Sequence, residues 1–195
     1  PNRSQARDAC TAAIKMSKAL DRLNPIWRDD GFQPIRIGMG INLGNLVVGN
    51  MGSRRRFNYT LMGDEVNFAS RLESLTKYYN VQCLISESVQ TEIADFPEFT
   101  TRELDRVVVK GKTEPKKIFE LITRPMDDPF KRGLALFAQG RAHYMRGEWD
   151  DAIAAFRDAI GICDDGPSRA FLERCEELKA HPPVDWNGVY EFASK

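Results

Sequence analysis

The sequence has no excess charge of either sign and no long apolar run. Its 28 acidic and 28 basic residues cancel, so no net field favours a polyanionic partner, and we expect no nucleic-acid binding. No apolar run approaches the roughly 18 residues needed to cross a bilayer, which predicts no membrane contact by this segment. We also expect no signal peptide at the start of this segment. We therefore expect a cytoplasmic location, either free or as the cytosolic part of a membrane-anchored or multidomain sensor.

Cysteine and histidine are scarce. The four cysteines, Cys10, Cys83, Cys163 and Cys175, form no C-x-x-C pair, and only two histidines accompany them. This spacing disfavours both a zinc site and a disulfide framework. We expect free, mostly buried thiols of the kind found in a reducing compartment.

Hydrophobic periodicity predicts helices and strands in alternation over the first part of the chain. Apolar residues at helical spacing predict a helix over residues 3–23, which Asn24-Pro25 should end. The chain starts without methionine and leads directly into this helix, so we expect an internal fragment of a longer protein. Alternation over residues 35–41 predicts a strand, and residues 46–49 should return as the second strand of a hairpin. A basic loop is expected over residues 51–58.

The helix that follows is the most informative element. It should begin with Asp64 as its N-cap and run for about four turns. It places Asn67 and Arg71 one turn apart on the same face. Because a guanidinium is permanently charged and presents a planar fork of donors, this pair suits a phosphate group. The alternative is an ordinary surface helix in which Arg71 pairs with Glu65 or Glu73.

Further strands and helices complete an α/β unit, and a purely helical segment follows it. The pattern predicts a strand at 81–85, a helix at 87–94 capped by Ser86, strands at 99–104 and 107–109 around a turn, and a last strand at 118–122. Beyond the proline-rich break at 123–129, helices are predicted at 130–145, 148–162 and 168–179. These boundaries divide the chain into domains 1–124 and 125–195, an α/β sandwich and an all-α helical tail.

The first two tail helices fit the spacing of a tetratricopeptide repeat, with Gly140, Trp149 and Phe156 at characteristic positions. Only one repeat is visible, and a single repeat cannot bury its own face. The pair must therefore pack on the α/β unit or on a protein partner.

Three segments together resemble class III nucleotidyl cyclases, most closely the bacterial adenylate cyclases. They are INLGNLVVGNMGS, NYTLMGDEVNFASRLE and DRVVVKGKTEPKKIFEL, in the family's order and separation, within residues 1–122. The resemblance implies a ferredoxin-like cyclase fold that here lacks its first strands, so the chain would be the C-terminal part of the catalytic domain. It implies conversion of ATP to 3′,5′-cyclic AMP and pyrophosphate, with two divalent ions, Mg or Mn.

The resemblance also implies roles for individual residues. Arg71 matches the arginine that stabilises the pentavalent α-phosphate, and Asn67 matches the asparagine that orients the ribose. Thr60 matches the position that reads the purine edge, where bacterial adenylate cyclases commonly have threonine and guanylate cyclases have cysteine. Lys110 matches the lysine that meets the terminal phosphates, although Lys112 could be the aligned residue. The alternatives are a packed strand threonine at position 60 and a solvated turn lysine at position 110.

The metal-binding half of the implied site has no counterpart in this sequence. No segment matches the family's two metal aspartates or its adenine-reading lysine, so we assign no metal ligand to this chain. The family shares each active site across a dimer, which implies a homodimer in which this chain supplies the Asn/Arg side and the loop with Arg54–Arg56 reaches the second protomer. This fragment alone should be inactive.

Two other functions stay open. One is a guanylate cyclase or a degenerate, non-catalytic cyclase-like domain, although the presence of both Asn67 and Arg71 argues against degeneration. The other is a protein-interaction module that acts through the helical tail. The residue at the adenine-reading lysine position, upstream of this sequence, would separate adenylate from guanylate cyclase.

Overall fold

A computed structural model describes residues 4–53, 56–108 and 114–190. In chain order these residues form α1 (Ser4–Asp29), β1 (Met39–Ile41), β2 (Val47–Ser53), β3 (Arg56–Met62), α2 (Asp64–Tyr79), β4 (Cys83–Ser86), α3 (Glu87–Ile93), β5 (Thr101–Val108), β6 (Pro115–Leu121), α4 (Asp128–Met145), α5 (Trp149–Ile162) and α6 (Gly166–Ala180). The predicted fold class, an α/β unit followed by a helical tail, is confirmed. Lys110, Lys112, Arg54 and Arg55 lie outside the described residues.

Helices cover both faces of a four-stranded sheet with the order β1-β4-β6-β5. Strand β4 is buried along its whole length. Because neighbouring side chains of a strand point to opposite faces of the sheet, both faces of β4 are covered. Cys83 and Ile85 pack with α1 and α3 in one core cluster. Leu84 points to the other face and packs with α2 and the helical tail. The catalytic-helix candidate α2 therefore has the sheet beneath it.

The hairpin predicted between residues 35–41 and 46–49 is wrong. Strand β1 pairs in parallel with β4, with Met39 opposite Cys83, whereas β2 pairs antiparallel with β3. The basic loop predicted over residues 51–58 is also wrong, because most of these residues belong to that ribbon of β2 and β3. Alternation of apolar residues indicates that a segment is a strand. It does not indicate which other strand pairs with it, because the alternation would be the same beside any neighbour.

Two helix ends differ from the prediction. Helix α1 continues through Pro25 to Asp29, four residues after the proline. Asn24, just before the proline, exchanges two side-chain hydrogen bonds of 2.8 and 2.9 Å with the backbone of Ile35. Asp64 is not the N-cap of α2: it is the first helical residue, and Gly63 caps the helix with a φ of 145°. Glycine adopts this conformation readily. The Asp64 carboxylate still interacts favourably with the positive end of the helix dipole, because it lies in the first turn.

Strand β5 is continuous, so the two strands predicted around a turn at residues 104–107 are wrong. Its pairing with β6 shifts register between Glu103 and Asp105, which is the irregularity expected at a β-bulge. The predicted cap of α3 is confirmed, since the Ser86 hydroxyl accepts a hydrogen bond from the Val89 amide at 3.4 Å.

The helical tail packs on the α/β unit. One buried cluster joins Phe68 and Leu72 of α2 with Phe137 of α4 and Phe171 of α6. The tail helices therefore bury one face against the α/β unit, whereas the tetratricopeptide-like character of the first two stays a prediction. The division into domains 1–124 and 125–195 stays a prediction. Of the described helices, none has the length and apolar character required of a membrane span.

Candidate functional site

Helix α2 presents two different faces. Phe68 and Leu72 are buried against the sheet, whereas Asn67 and Arg71 are exposed. Successive residues of a helix are about 100° apart, so Asn67 and Arg71 share one side, with Cβ atoms about 5–6 Å apart. The structure thus places the predicted amide and guanidinium side by side, directed away from the core of their own chain.

The first turn of α2 is held to the sheet by a charged cluster. Glu65 accepts hydrogen bonds from the Asn42 amide at 2.7 Å and from Lys116 at 2.9 Å, and Asn42 also donates to the Glu65 backbone carbonyl at 2.9 Å. Lys116 lies 4.8 Å from the centroid of the Phe68 ring. The Asn42 amide and the Lys116 ammonium lower the pKa of the Glu65 carboxyl. This carboxylate therefore helps to fix the first turn of α2 to the sheet.

Thr60 lies in β3, two residues before the strand ends and leads through Gly63 into α2. Its strand partner is Gly49, and a side chain at Gly49 would meet no atom within 4 Å. The Thr60 side chain is exposed, with open space beside it. Because β3 is followed directly by α2, the end of the ribbon lies at the N-terminal end of that helix. Lys110, the other residue predicted to bind substrate, is not among the described residues.

The ribbon of β2 and β3 is a separate two-stranded sheet with an unusual apolar surface. Tyr59 is 76% exposed and Phe57 and Val47 are each 65% exposed. Val48, Leu61 and Met62 of the ribbon are also exposed, as is Leu46 just before it. The strand register places Val48, Phe57, Tyr59 and Leu61 on one face. Two-stranded ribbons are only marginally stable in water, and exposed apolar residues that share a face mark an interaction surface.

A cavity of about 710 Å³ opens beside the first turn of α2. Its lining includes Asn42, Gly44, Asp64, Glu65 and Lys116, so it borders the charged cluster that holds the helix. The lining does not include Thr60, Asn67 or Arg71, so the predicted site residues lie outside this cavity. Sequence reasoning missed the charged cluster, since Asn42, Glu65 and Lys116 come together only through the fold.

Among the described residues around α2, no three His, Cys, Asp or Glu side chains come close enough together to share a metal ion. The Arg71 guanidinium offers only donors, and the Asn67 carbonyl oxygen is a single potential ligand. Within the described ranges one group of three potential ligands occurs, His143, Glu148 and Asp151, at the turn between α4 and α5. There Glu148 accepts hydrogen bonds of 2.9 and 2.7 Å from Arg146, and Arg146 and His143 lower its pKa to about 2. The Glu148 carboxylate is therefore already neutralised by Arg146. The group also lies on the helical tail and not beside α2.

The buried end of α2 is tied to the helical tail. Tyr79, in its last turn, donates a hydrogen bond of 2.5 Å to Asp105 of β5. The same carboxylate accepts a hydrogen bond from Arg174 of α6 at 2.7 Å. Nothing in the spacing of these residues along the chain predicts the contact, and no sequence signal could have found it.

Comparisons with known proteins agree with this architecture. Residues 1–122 match the family model described as the adenylate and guanylate cyclase catalytic domain. The crystal structure of the adenylyl cyclase CyaB from P. aeruginosa is similar, with a TM-score of 0.51 and 35% identity, over 63% of this chain and 62% of that chain.

Curated relatives include two adenylate cyclases. The terminal-differentiation specific adenylate cyclase of Dictyostelium discoideum is 34% identical over 178 residues, which cover 88% of this chain and 8% of that protein. The adenylate cyclase of Anabaena cylindrica is 41% identical over 118 residues, covering 58% of this chain and 24% of that protein. The chain thus spans less than a quarter of the length of either relative. The order of the three motifs, the sheet with α2 upon it and these matches show that the chain belongs to the class III adenylate and guanylate cyclase catalytic-domain family.

Proposed function

We propose that this chain is the transition-state side of an adenylate cyclase that converts ATP to 3′,5′-cyclic AMP and pyrophosphate. The observation that carries the proposal is the pair Asn67 and Arg71, one turn apart on the exposed face of α2. The helix is anchored near both ends, by Glu65 at its start and Tyr79 at its end. A donor pair on an anchored helix is organised before the substrate arrives, which is what electrostatic catalysis requires.

In the reaction the ribose 3′-oxygen forms a bond to the α-phosphorus, and the bond from that phosphorus to the bridging oxygen of the β-phosphate breaks. The 3′-hydroxyl loses its proton and pyrophosphate leaves. Negative charge on the α-phosphoryl oxygens is met by the Arg71 guanidinium. Asn67 holds the ribose in line for attack, and Thr60 meets the purine edge. Lys110 binds the terminal phosphates.

The other half of the site comes from a second protomer. The exposed apolar ribbon of β2 and β3 supplies the surface for such an assembly, and its end leads directly into α2. We infer a homodimer in which the carboxylates that bind two divalent ions, Mg or Mn, lie outside this sequence. Because the described part of the chain brings no three potential metal ligands together beside Arg71, its own contribution is to bind and orient the nucleotide and to stabilise charge.

The test is cyclic-nucleotide production by the natural polypeptide that contains this chain. Purified protein is supplied with ATP or GTP and either Mg²⁺ or Mn²⁺, and cyclic AMP and cyclic GMP are measured. We expect cyclic AMP from ATP, and loss of activity in the double variant Asn67→Ala/Arg71→Ala. The matched control is Arg157→Ala, an exposed helical arginine that is paired with Glu176 at 2.8 Å on the tail.

Three results would count against the proposal in different ways. Preferred formation of cyclic GMP would favour a guanylate cyclase. Absence of both products from the unmodified polypeptide with either metal would favour a degenerate domain. Full activity in the double variant would show that α2 does not face the reacting phosphate.

A further inference from the structure

We propose that the helical tail, defined here as residues 128–190, positions the catalytic helix α2, and that Arg174 is the positioning residue, acting through Tyr79. The inference rests on the proposed function, since it concerns the same Asn67 and Arg71. It assigns a catalytic purpose to a segment that lies outside the part of the chain matched by the family model.

Arg174 joins three elements at one buried point. It lies on α6, and its side chain and that of Asp105 are 0% and 1% exposed. Its Nη1 donates to Asp105 Oδ2 at 2.7 Å, and its Nη2 donates to the hydroxyls of Tyr79 and the neighbouring Tyr78, each at 3.3 Å. Tyr79 in turn donates to the same Asp105 oxygen. The tail, the sheet and α2 therefore share one closed hydrogen-bonded triangle.

This triangle has little freedom to rearrange. A buried guanidinium or carboxylate that loses its partner is strongly destabilising, so each group holds the other in place. The second Asp105 oxygen accepts a hydrogen bond from the Arg106 amide at 2.7 Å, which fixes the carboxylate to the β5 backbone. The end of α2 can move only if this network breaks.

Apolar packing supports the same contact independently. The Phe171 ring of α6 stacks on Tyr79, with centroids 6.3 Å apart and an angle of 29° between the planes. A side chain at Gly166, the first residue of α6, would collide with the backbone carbonyl of Tyr79 and would lie 2.8 Å from the Asn80 Cβ. Backbone therefore meets backbone where α6 starts and α2 ends.

A constraint at the end of α2 reaches the site because the helix is continuous. Twelve residues separate Asn67 from Tyr79, so the distance along the axis is roughly 18 Å. A small tilt at Tyr79 displaces Asn67 and Arg71 relative to the bound phosphate, and misplacement by about 1 Å can cost 10²-fold in rate. The match to the Dictyostelium enzyme covers 88% of this chain, so it extends past residue 122 into the tail. A tail that accompanies the cyclase domain in that enzyme is consistent with a catalytic role.

Two tyrosines provide a matched test in the natural polypeptide. Tyr79 and Tyr144 are both fully buried in the same cluster, and the hydroxyl of each accepts a hydrogen bond from Arg174, at 3.3 Å and 3.2 Å. Tyr79 lies on α2, whereas Tyr144 lies on α4 within the tail. We expect Tyr79→Phe to lower kcat about tenfold, with KM for ATP little changed, because orientation in the transition state is lost. Tyr144→Phe should leave kcat within about twofold, since its hydroxyl does not touch α2.

Arg174→Lys tests whether Arg174 acts through Tyr79. The lysine keeps one positive charge beside Asp105 but lacks the planar fork that reaches Asp105 and the tyrosine hydroxyls at the same time. We expect this variant to lower kcat as Tyr79→Phe does, and the double variant to be no worse than either single variant, because coupled residues are not additive. All variants are assayed at a temperature where circular dichroism shows them folded.

Equal kcat in Tyr79→Phe, Tyr144→Phe and the unmodified enzyme would overturn the inference. So would equal losses in the two tyrosine variants, which is the result expected of a purely structural role, or multiplied losses in the double variant. Arg71→Ala, measured alongside, separates the two proposals. If Arg71→Ala leaves kcat unchanged, the proposed function fails. If Arg71→Ala lowers kcat but Tyr79→Phe and Arg174→Lys do not, only the positioning role fails.

Discussion

Arg71 and Glu65 show how two charged residues of one helix differ in their surroundings. Glu65 faces the sheet, where Asn42 and Lys116 bind its carboxylate. Arg71 is on the exposed side beside Asn67. Removing the Glu65 carboxylate would affect how α2 is held, whereas Arg71 lies on the face that the proposed function assigns to the substrate.

We expect Arg71→Ala to lower kcat by roughly 10² to 10³, the usual effect of deleting one preorganised donor. KM for ATP should change far less, because charge on the α-phosphoryl oxygens is greatest in the transition state. Steady-state kinetics of the natural polypeptide measures both. A raised KM with an unchanged kcat would instead identify Arg71 as a group that binds the ground state.

Thr60 should contribute to base choice. Its hydroxyl can donate or accept a hydrogen bond, and the space beside Gly49 is open to a base edge. Selectivity of this kind comes from leaving polar groups unpaired with the wrong base. We expect kcat/KM to favour ATP over GTP and Thr60→Cys to narrow that ratio. Thr101→Cys, on β5 of the main sheet, is the control and should leave the ratio unchanged; an unmodified enzyme without preference would contradict the assignment.

At the scale of elements, close packing between β1 and α2 sets the distance of α2 from the sheet. A Cβ at Gly40 would lie 2.5 Å from the Glu73 amide nitrogen, with the Ala69 carbonyl oxygen nearer still. Both atoms belong to helix backbone, which cannot turn aside as a flexible side chain can. The absence of a side chain at position 40 lets α2 lie directly on the strand.

We expect Gly40→Ala to destabilise the protein by about 1–3 kcal/mol, the usual cost of overpacking, and to lower kcat because α2 must shift. Gly161→Ala is the matched control, since a side chain at this helical position of α5 would meet nothing within 4 Å. It should be neutral or stabilising by up to about 1 kcal/mol. Urea denaturation and kcat are measured for both. Equal stability of the two variants would show that the sheet and α2 are further apart than described.

The helical tail is held to the sheet by a second buried ion pair. Arg102 of β5 contacts Glu120 of β6 and, at 2.7 Å, Asp165, which caps α6 by accepting from the Ser168 amide. Asp165 thus serves both the helix and the interface. Together with Arg174 and Asp105 this pair makes the tail continuous with the α/β unit, which is why the tail can influence α2.

At the scale of the whole molecule, the chain carries the Asn/Arg half of the proposed shared site and a ribbon whose apolar residues are exposed. Two identical copies lacking the same carboxylates could not complete each other. A protomer that has those carboxylates but lacks the Asn/Arg pair could be completed by this chain, because the proposed site is shared between protomers.

We therefore expect a mixture of this chain with the natural polypeptide carrying Asn67→Ala/Arg71→Ala to produce cyclic AMP, while each component alone does not. The control is the same mixture with Arg71→Ala in this chain as well, which should be inactive. Strand β1 is an edge of the described sheet, and open edges favour aggregation, so folding of the chain is checked by circular dichroism. Cyclic AMP from this chain alone would show that carboxylates between Asp8 and Asp30 bind the metals after all.

The sequence alone determined the family, the fold class and the face of α2 that carries the candidate site. These depend on local rules: helical spacing places Asn67 beside Arg71, Ser86 caps α3 by reaching three residues ahead, and the order of the motifs identifies the family. Each relation joins residues that are close along the chain or is read from the chain directly, so no knowledge of the packing is needed.

Only the tertiary structure decided which strands pair and what holds α2 in place. Period-two alternation in β1 is equally compatible with β2 or β4 as its neighbour. In the structure β1 pairs with β4, and Gly40 of β1 packs closely against α2. Arg174 and Asp105 are 69 residues apart, and either could have been an exposed charge. Their pairing follows from the docking of the tail, because a buried charge is tolerated only where the fold brings its partner to it.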